Sequence, residues 1–346
     1  MGCLMAVVFS SCVEKENVVP LTEAPLVILD TDLGSSTDDL FSLQQLYLYH
    51  RQGACKLLGI VVDRMGENNA AIADLMNTYY GCPDIPIGLE RTGIPDPKVW
   101  IDYSALPSYT TPSGEPLFHR TLERYDTLPD GWRLYRRLLA SQPDHSVNIV
   151  SIGFVTALAQ LLESEGDEYS PLSGVELVRQ KVKCAYVMGG VFGDAIEPDY
   201  NFSQAINYSL KFFQLWPSDV DIVLSPGEVG DDVEYTPEQV ISDISWTDRH
   251  PIKQVYMNCN CNTGQRMWDL MAVFHAVLGD ELFTLSERGA VELTSNAETL
   301  FTPAPDGNFR YQLPRDASWA NAMLERIRQA SKFFFVDSEK VCIFAN

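Results

Sequence analysis

Short apolar runs alternate along this chain with segments whose apolar positions recur at helical spacing. Residues 26–29, 57–62, 147–152, 183–188 and 221–224 read as buried strands, since each is a brief, nearly unbroken apolar run. Between the first two, Leu40, Leu43, Leu46 and Tyr47 fall on one face of a helix, and residues 71–80 and 157–162 repeat that behaviour after the second and third runs. Strands alternating with helices predict an α/β fold: an open, mostly parallel sheet with crossover helices and a Rossmann-like core. Residues 83–129 are rich in Pro, Gly, Tyr and Ser and have little periodicity, which predicts a long excursion over the rim. No repeat or linker divides the chain, so residues 25–346 are expected to form one domain.

The N-terminus carries a different signal. Residues 4–9 are apolar and lead through Ser10 and Ser11 to Cys12. This stretch is similar to a bacterial lipoprotein signal spanning residues 1–12, in which Cys12 is lipidated and becomes the mature N-terminus. Residues 13–24 then form a solvated tether. The expectation is an exported protein held by a lipid anchor on a bacterial membrane, periplasmic or cell-surface; the alternative is a disordered start with a chance cysteine. No apolar run reaches the ~18–20 residues needed to span a bilayer.

With 25 Lys+Arg against 47 Asp+Glu the net charge is −22, which excludes nucleic-acid binding through a general basic surface. Beyond Cys3 and Cys12, six cysteines are too sparse for a disulfide scaffold and are expected as reduced thiols. The five histidines share no metal-ligand spacing.

The chemistry concentrates just after the first strand, in Asp30-Thr31-Asp32-Leu33-Gly34, followed by Ser35, Ser36, Thr37, Asp38 and Asp39. Ser36 or Thr37 is a natural N-cap for the helix that follows, and acidic residues suit its first turn. In open α/β sheets, ligands bind outside the carboxyl ends of the strands. Four carboxylates within one strand-to-helix turn at that edge repel one another, and calcium, with its ~6–8 oxygen ligands, would resolve the conflict. The competing reading is that Asp38 and Asp39 serve only the helix start while Asp30 and Asp32 are turn residues.

The stretch DTDLGSSTDDL resembles the N-terminal signature Asp-x-Asp-Pro-Gly-x-Asp-Asp of the inosine–uridine-preferring nucleoside hydrolases. It departs at Leu33, in the proline's place, and by two extra residues. The resemblance continues through VNIVSIGFVTALAQL (147–161), YVMGGVF (186–192), DYNFSQAINYSLKFF (199–213) and MWDLMAVFHAV (267–277), in the family's order. It implies that Asp32, Asp39 and Asp269, with the backbone carbonyl near Ile152, are calcium ligands, and that Asp32 also acts as the base. It further implies that Asp38, Asn68, Asp199 and Asn201 hold the ribose. Asp30 and Gly34 support the motif, Asp30 by orienting the loop. Trp268 stands where members active on inosine have a histidine, so it would stack on the base and leave the leaving-group acid unassigned.

The resemblance therefore implies calcium-dependent hydrolysis of ribonucleosides to base and ribose, with a nucleoside as the partner and, as in many members, a homo-oligomer. The bland readings stay open: Asp269 as a helix N-cap, Asn201 as a turn residue, His275 as core packing. Two functional rivals also stand. A haloacid-dehalogenase-type phosphatase would use Asp30 as nucleophile and Asp32 as acid with magnesium, although Gly34 replaces the Thr or Val expected there. A non-catalytic lipoprotein would use the pocket only to capture nucleosides or sugars.

Overall fold

In the computed structural model, which describes residues 24–94, 99–193, 196–335 and 342–344, the apolar runs lie side by side. Strands β1 (Leu26–Thr31), β2 (Lys56–Val62), β3 (Ile87–Leu89), β4 (Val147–Ser151), β5 (Val182–Met188) and β6 (Asp221–Ser225) are parallel, in the order β6-β5-β4-β1-β2-β3. A separate antiparallel pair joins β7 (Glu234–Tyr235) to β8 (Gln265–Arg266). Beyond β6 the sheet continues with β9 (Thr284–Leu285), β10 (Gly289–Leu293), β11 (Thr299–Pro303) and β12 (Phe309–Leu313). There β12 is parallel to β6, and the remaining pairings are antiparallel. The architecture is the open, mostly parallel α/β sheet that the sequence predicts. The signal at residues 1–12, Cys12 included, lies outside the described residues, as does nearly all of the tether.

Helices α1 (Asp38–Gln52), α2 (Glu67–Tyr79), α3 (Gly131–Ala140), α4 (Thr156–Glu163) and α5 (Gly174–Lys181) fall between the parallel strands. After β5 come α6 (Tyr200–Gln204) and α7 (Ile206–Leu215). After β6 come α8 (Gly227–Gly230), α9 (Pro237–Asp243), α10 (Pro251–Asn258) and α11 (Trp268–Leu278), and α12 (Ala317–Ser331) follows β12. Helices on both faces explain why β1 reads as an unbroken apolar run: Val27, Ile28 and Leu29 are all fully buried. Each contributes roughly 1.5–3 kcal/mol of hydrophobic stabilisation.

The structure departs from the sequence reading in three places. The excursion at residues 83–129 contains β3, too short and too close to Pro86 to show a period. Helix α1 is buried from Asp38 through Leu48 rather than along one face, because it is packed between other elements. The antiparallel extension is unannounced because its strands are two to five residues long and only half-buried.

Chain order fixes where a ligand site forms. From β1 the chain moves outward to β2 and β3, then returns to the other side of β1 for β4. This reversal leaves a crevice outside the carboxyl ends of β1 and β4.

Candidate active site

That crevice opens into a cleft of about 650 Å³. Its wall includes Asp32 after β1, Ile152 after β4, Met188 and Gly190 at the end of β5, and Gly227 and Glu228 after β6. Asp38 and Asp39 enter from the start of α1 and Asp269 from the first turn of α11. The excursion contributes Trp100 and Ile101 to the wall, and the Trp100 N–H donates to Ser35 Oγ at 3.0 Å.

Two glycines make the turn between β1 and α1 buildable. Gly34 has φ +118°, and a Cβ there would sit 2.5 Å from Asn69 Oδ1. A Cβ on Gly153 would come within 2.9 Å of the Asp32 backbone nitrogen, so only glycine lets the β4 loop approach this closely. The expected side-chain cap is not made. Thr37 occupies the N-cap position in a helical conformation, and its hydroxyl lies 3.0 Å from that of Tyr256. Ser36 instead donates to Asp38 Oδ1 at 2.8 Å. Gln265, far away in sequence, brackets the turn: its Oε1 accepts from the Thr37 N–H and its Nε2 donates to Asp38 Oδ1, both at 3.3 Å. The Thr31 hydroxyl donates to Asp39 Oδ1.

Carboxylate oxygens of Asp38, Asp39 and Asp269 lie within 4.8 Å of one another, and all three residues are buried. Asp269 is not the N-cap of α11, a position held by Met267. Asp32 lines the same cleft beside this group of three, close enough to act electrostatically on Asp39 and Asp269. Desolvation by burial pushes Asp32 up to about 7 and Asp38 up to about 6. It raises Asp39 and Asp269 well above the usual carboxylate range, and the neighbouring carboxylates add to the effect. Arg64 is buried near Asp32 and lowers its pKa, but forms no ion pair with it, and its Nη1 has no hydrogen-bond partner. Crowded, buried, oxygen-only anionic donors of this kind fit a hard divalent cation.

The other sequence-derived residues divide. Asp199 and Asn201 line the cleft. Asp199 caps α6 through Oδ1, which accepts from the Phe202 N–H at 2.8 Å, while Oδ2 accepts from the Gly190 N–H at 2.9 Å. Its pKa is pushed up to about 6 by burial. The Asn201 side-chain amide donates to the Met188 carbonyl at 3.3 Å. Trp268 lines the cleft, and its indole N–H donates to Asp231 Oδ1 at 3.0 Å. Asn68 is exposed on α2 and is absent from the cleft wall; its neighbour Asn69 is the buried one, against Gly34.

Asp30 is fully buried beneath the cleft, with Oδ2 accepting from the Tyr135 hydroxyl at 2.9 Å. A phosphatase nucleophile could not be reached there. His275 is buried in the core beside Gln312 and Asp280. Cys55, Cys82, Cys184, Cys259 and Cys261 are free thiols. Among the described residues no helix is long and apolar enough to cross a membrane. Sequence reasoning missed Arg64, Trp100, Tyr200, Glu228, Asp231 and Gln265. A signal existed for Glu228, in the Pro-Gly-Glu turn directly after the β6 run.

No protein-family model matches this chain, and no curated protein matches its sequence. Solved structures do match. An inosine–guanosine nucleoside hydrolase superposes with a TM-score of 0.65 at 15% identity, covering 90% of this chain and 100% of its own. A purine-preferring ribonucleoside hydrolase from Gardnerella vaginalis gives 0.64 at 15%, covering 89% and 99%. The inosine–uridine-preferring enzyme from Bacillus anthracis gives 0.63 at 16%, covering 88% and 99%. Likeness at such low identity over nearly the full length of each structure establishes the architecture: this chain has the nucleoside hydrolase fold.

Proposed function

We propose that the protein hydrolyses the N-glycosidic bond of ribonucleosides, with calcium, to free base and ribose. The observation that carries this reading is the convergence of Asp38, Asp39 and Asp269, beside Asp32, in the cleft at the sheet's reversal point. Asp32, Asp39, Asp269 and the Ile152 carbonyl would hold the ion, with Asp38 in reach of it. When bound, it supplies positive charge and makes a nearby water more acidic.

The chain's own residues do the rest. Asp32 accepts the proton of the attacking water. Asp38, Asp199 and Asn201 grip the ribose hydroxyls, and the backbone donors on Asp199 hold its carboxylate in one orientation. N-glycoside cleavage builds positive charge on the sugar, and fixed carboxylates around it stabilise that charge without reorganising. Trp100, Tyr200 and Trp268 offer aromatic faces on which a departing base stacks. The stretch ending at Cys12 supports export and lipid anchoring, so mass spectrometry of the membrane fraction should find a lipidated N-terminal cysteine.

Purified protein incubated with a panel of purine and pyrimidine ribonucleosides should release reducing sugar in calcium and stop when the ion is chelated. Failure to cleave any of them while calcium is bound overturns the reading. Nucleoside binding without sugar release would favour the capture role, for which the replacement of a titratable histidine by Trp268 is the supporting observation.

A further inference from the structure

We infer that Ser36 and Gln265 are positioning residues: they clamp one oxygen of Asp38 and so set the preference for a sugar hydroxyl at the other. The inference rests on the ribonucleoside reading above. Both side chains line the cleft, and they reach Asp38 from distant parts of the chain. Ser36 Oγ donates to Asp38 Oδ1 at 2.8 Å from within the β1–α1 turn. Gln265 Nε2 donates to the same oxygen at 3.3 Å from β8. A carboxylate oxygen has about two acceptor sites, so Oδ1 is filled by the protein and Oδ2 is the oxygen left for substrate.

Each donor is itself held in place. Gln265 is buried, its Oε1 accepts from the Thr37 N–H at 3.3 Å, and its Nε2 also donates to the Arg266 carbonyl at 2.9 Å. An N–H on one side and a carbonyl on the other admit a single orientation of the amide, so the group facing Asp38 is the NH2. Ser36 has φ +63°, in the left-handed region that glycine occupies more readily. What serine adds over glycine there is the hydroxyl that bonds Asp38. Ser36 also lies in the stretch between Gly34 and Asp38, where this turn is longer than the signature it resembles.

With donors arriving from two elements, the Asp38 carboxyl cannot swing, and Oδ2 meets a ribose hydroxyl in one direction. The hydroxyl donates to Oδ2. A sugar lacking that hydroxyl leaves the oxygen without its donor, so a fixed Asp38 rejects the deoxy analogue. A loosened Asp38 discriminates less, because it grips the correct sugar less well.

The test uses the full calcium-loaded protein in excess over substrate, so that slow cleavage is still measured, with inosine, 2′-deoxyinosine and 3′-deoxyinosine. Gln265→Met keeps the side chain's length but removes its three hydrogen bonds, and should lose about 10–100-fold in kcat/KM on inosine. Ser36→Gly suits the left-handed turn and removes only the hydroxyl, so its loss on inosine should be about tenfold. On the analogue that lacks the hydroxyl bound by Oδ2, both variants should stay within about twofold of the parent, since the contact they weaken is already missing. Calcium affinity, measured by titration calorimetry, should be kept. Equal losses on all three substrates, or no loss on inosine, overturn the assignment. A loss of calcium affinity that matches the loss on inosine also overturns it, by placing the clamp in service of the ion. If Gln265→Met does not fold, Ser36→Gly decides the matter alone. A parent protein that cleaves none of the three overturns instead the ribonucleoside reading beneath it.

Discussion

Two groups of buried carboxyls meet near the end of β1, and the protein treats them differently. Asp30, Asp63 and Glu90 form a closed group, each no more than 1% exposed. Asp63 accepts from the Thr156 and Ala157 N–H groups, at 2.9 and 3.1 Å, and from the Thr156 hydroxyl. Glu90 accepts from the Thr92 N–H at 2.6 Å and from Gln160 Nε2 at 3.0 Å. Asp30 takes the Tyr135 hydroxyl and also meets Asp63, a contact between two carboxyls that requires one to keep its proton. Asp32, Asp38, Asp39 and Asp269 form the open group. Donors there are few, and the side-chain contact of Asp269 is with another carboxyl, Asp38. Asp30 and Asp32 are two residues apart, yet Asp30 lies in a strand paired on both sides and Asp32 just past its end. Both groups contain a contact between carboxyls. The closed one, however, is held by several protein donors and secures the fold, whereas the open one has few donors, lines the cleft and fits a cation.

Asp269→Asn should break the open group and leave the closed one intact. Changes to residues that merely support metal ligands cost about 10–100-fold, so loss of a ligand should exceed about 100-fold in turnover and calcium affinity. The same substitution removes one of the mutually repelling charges. The melting temperature of the calcium-free protein should therefore hold steady or rise, while the increase on adding calcium disappears. A fall in calcium-free stability with calcium affinity preserved would show that Asp269 belongs to the structural kind.

A smaller effect should appear in the pH dependence of stability. Burial raises Asp32 from 3.8 to about 7 and Asp38 to about 6, and lifts Asp39 and Asp269 well above 3.8. A carboxyl raised in the fold keeps its proton after the unfolded chain has released it. Raising the pH from about 4 to about 7 therefore favours the unfolded chain. Without metal the protein should melt at a lower temperature at pH 8 than at pH 5. Calcium needs the deprotonated carboxylates, so its stabilising effect should be larger at pH 8. Thermal melts at both pH values, with calcium and with a chelator, test both signs. Equal calcium effects at the two values would mean that the open group is already ionised without the ion.

How much of this contrast was legible in the sequence follows from its range. Asp30, Asp32, Asp38 and Asp39 sit in one strand-to-helix turn, so their gathering at the sheet edge needed only local pattern and the rule for where α/β sheets bind ligands. Asp269 required a second motif more than 200 residues on. Which carboxyl faced which group was not legible. Asp63 and Glu90 end neighbouring strands and join Asp30 only once β1, β2 and β3 have paired. Gln265 reaches Asp38 across 227 residues. Asn68 shows the resolution limit of a loose match: adjacent helix positions point about 100° apart, and it is Asn69 that turns inward.

Tyr135→Phe probes the closed group most gently. Tyr135 is fully buried on α3, and its hydroxyl gives Asp30 Oδ2 a hydrogen bond of 2.9 Å. Phenylalanine fills nearly the same volume, so the change isolates that one bond. An unsatisfied buried acceptor costs about 1–3 kcal/mol, which denaturant unfolding with and without calcium can resolve. The loss should be the same in both conditions, because Asp30 answers to Tyr135 and Asp63 and not to the ion. If the substitution instead weakened calcium binding, the two groups would be one network, with Asp30 passing its protonation state along the strand end to Asp32. The separation drawn here holds only if stability falls while the calcium-induced shift in melting temperature stays where it was.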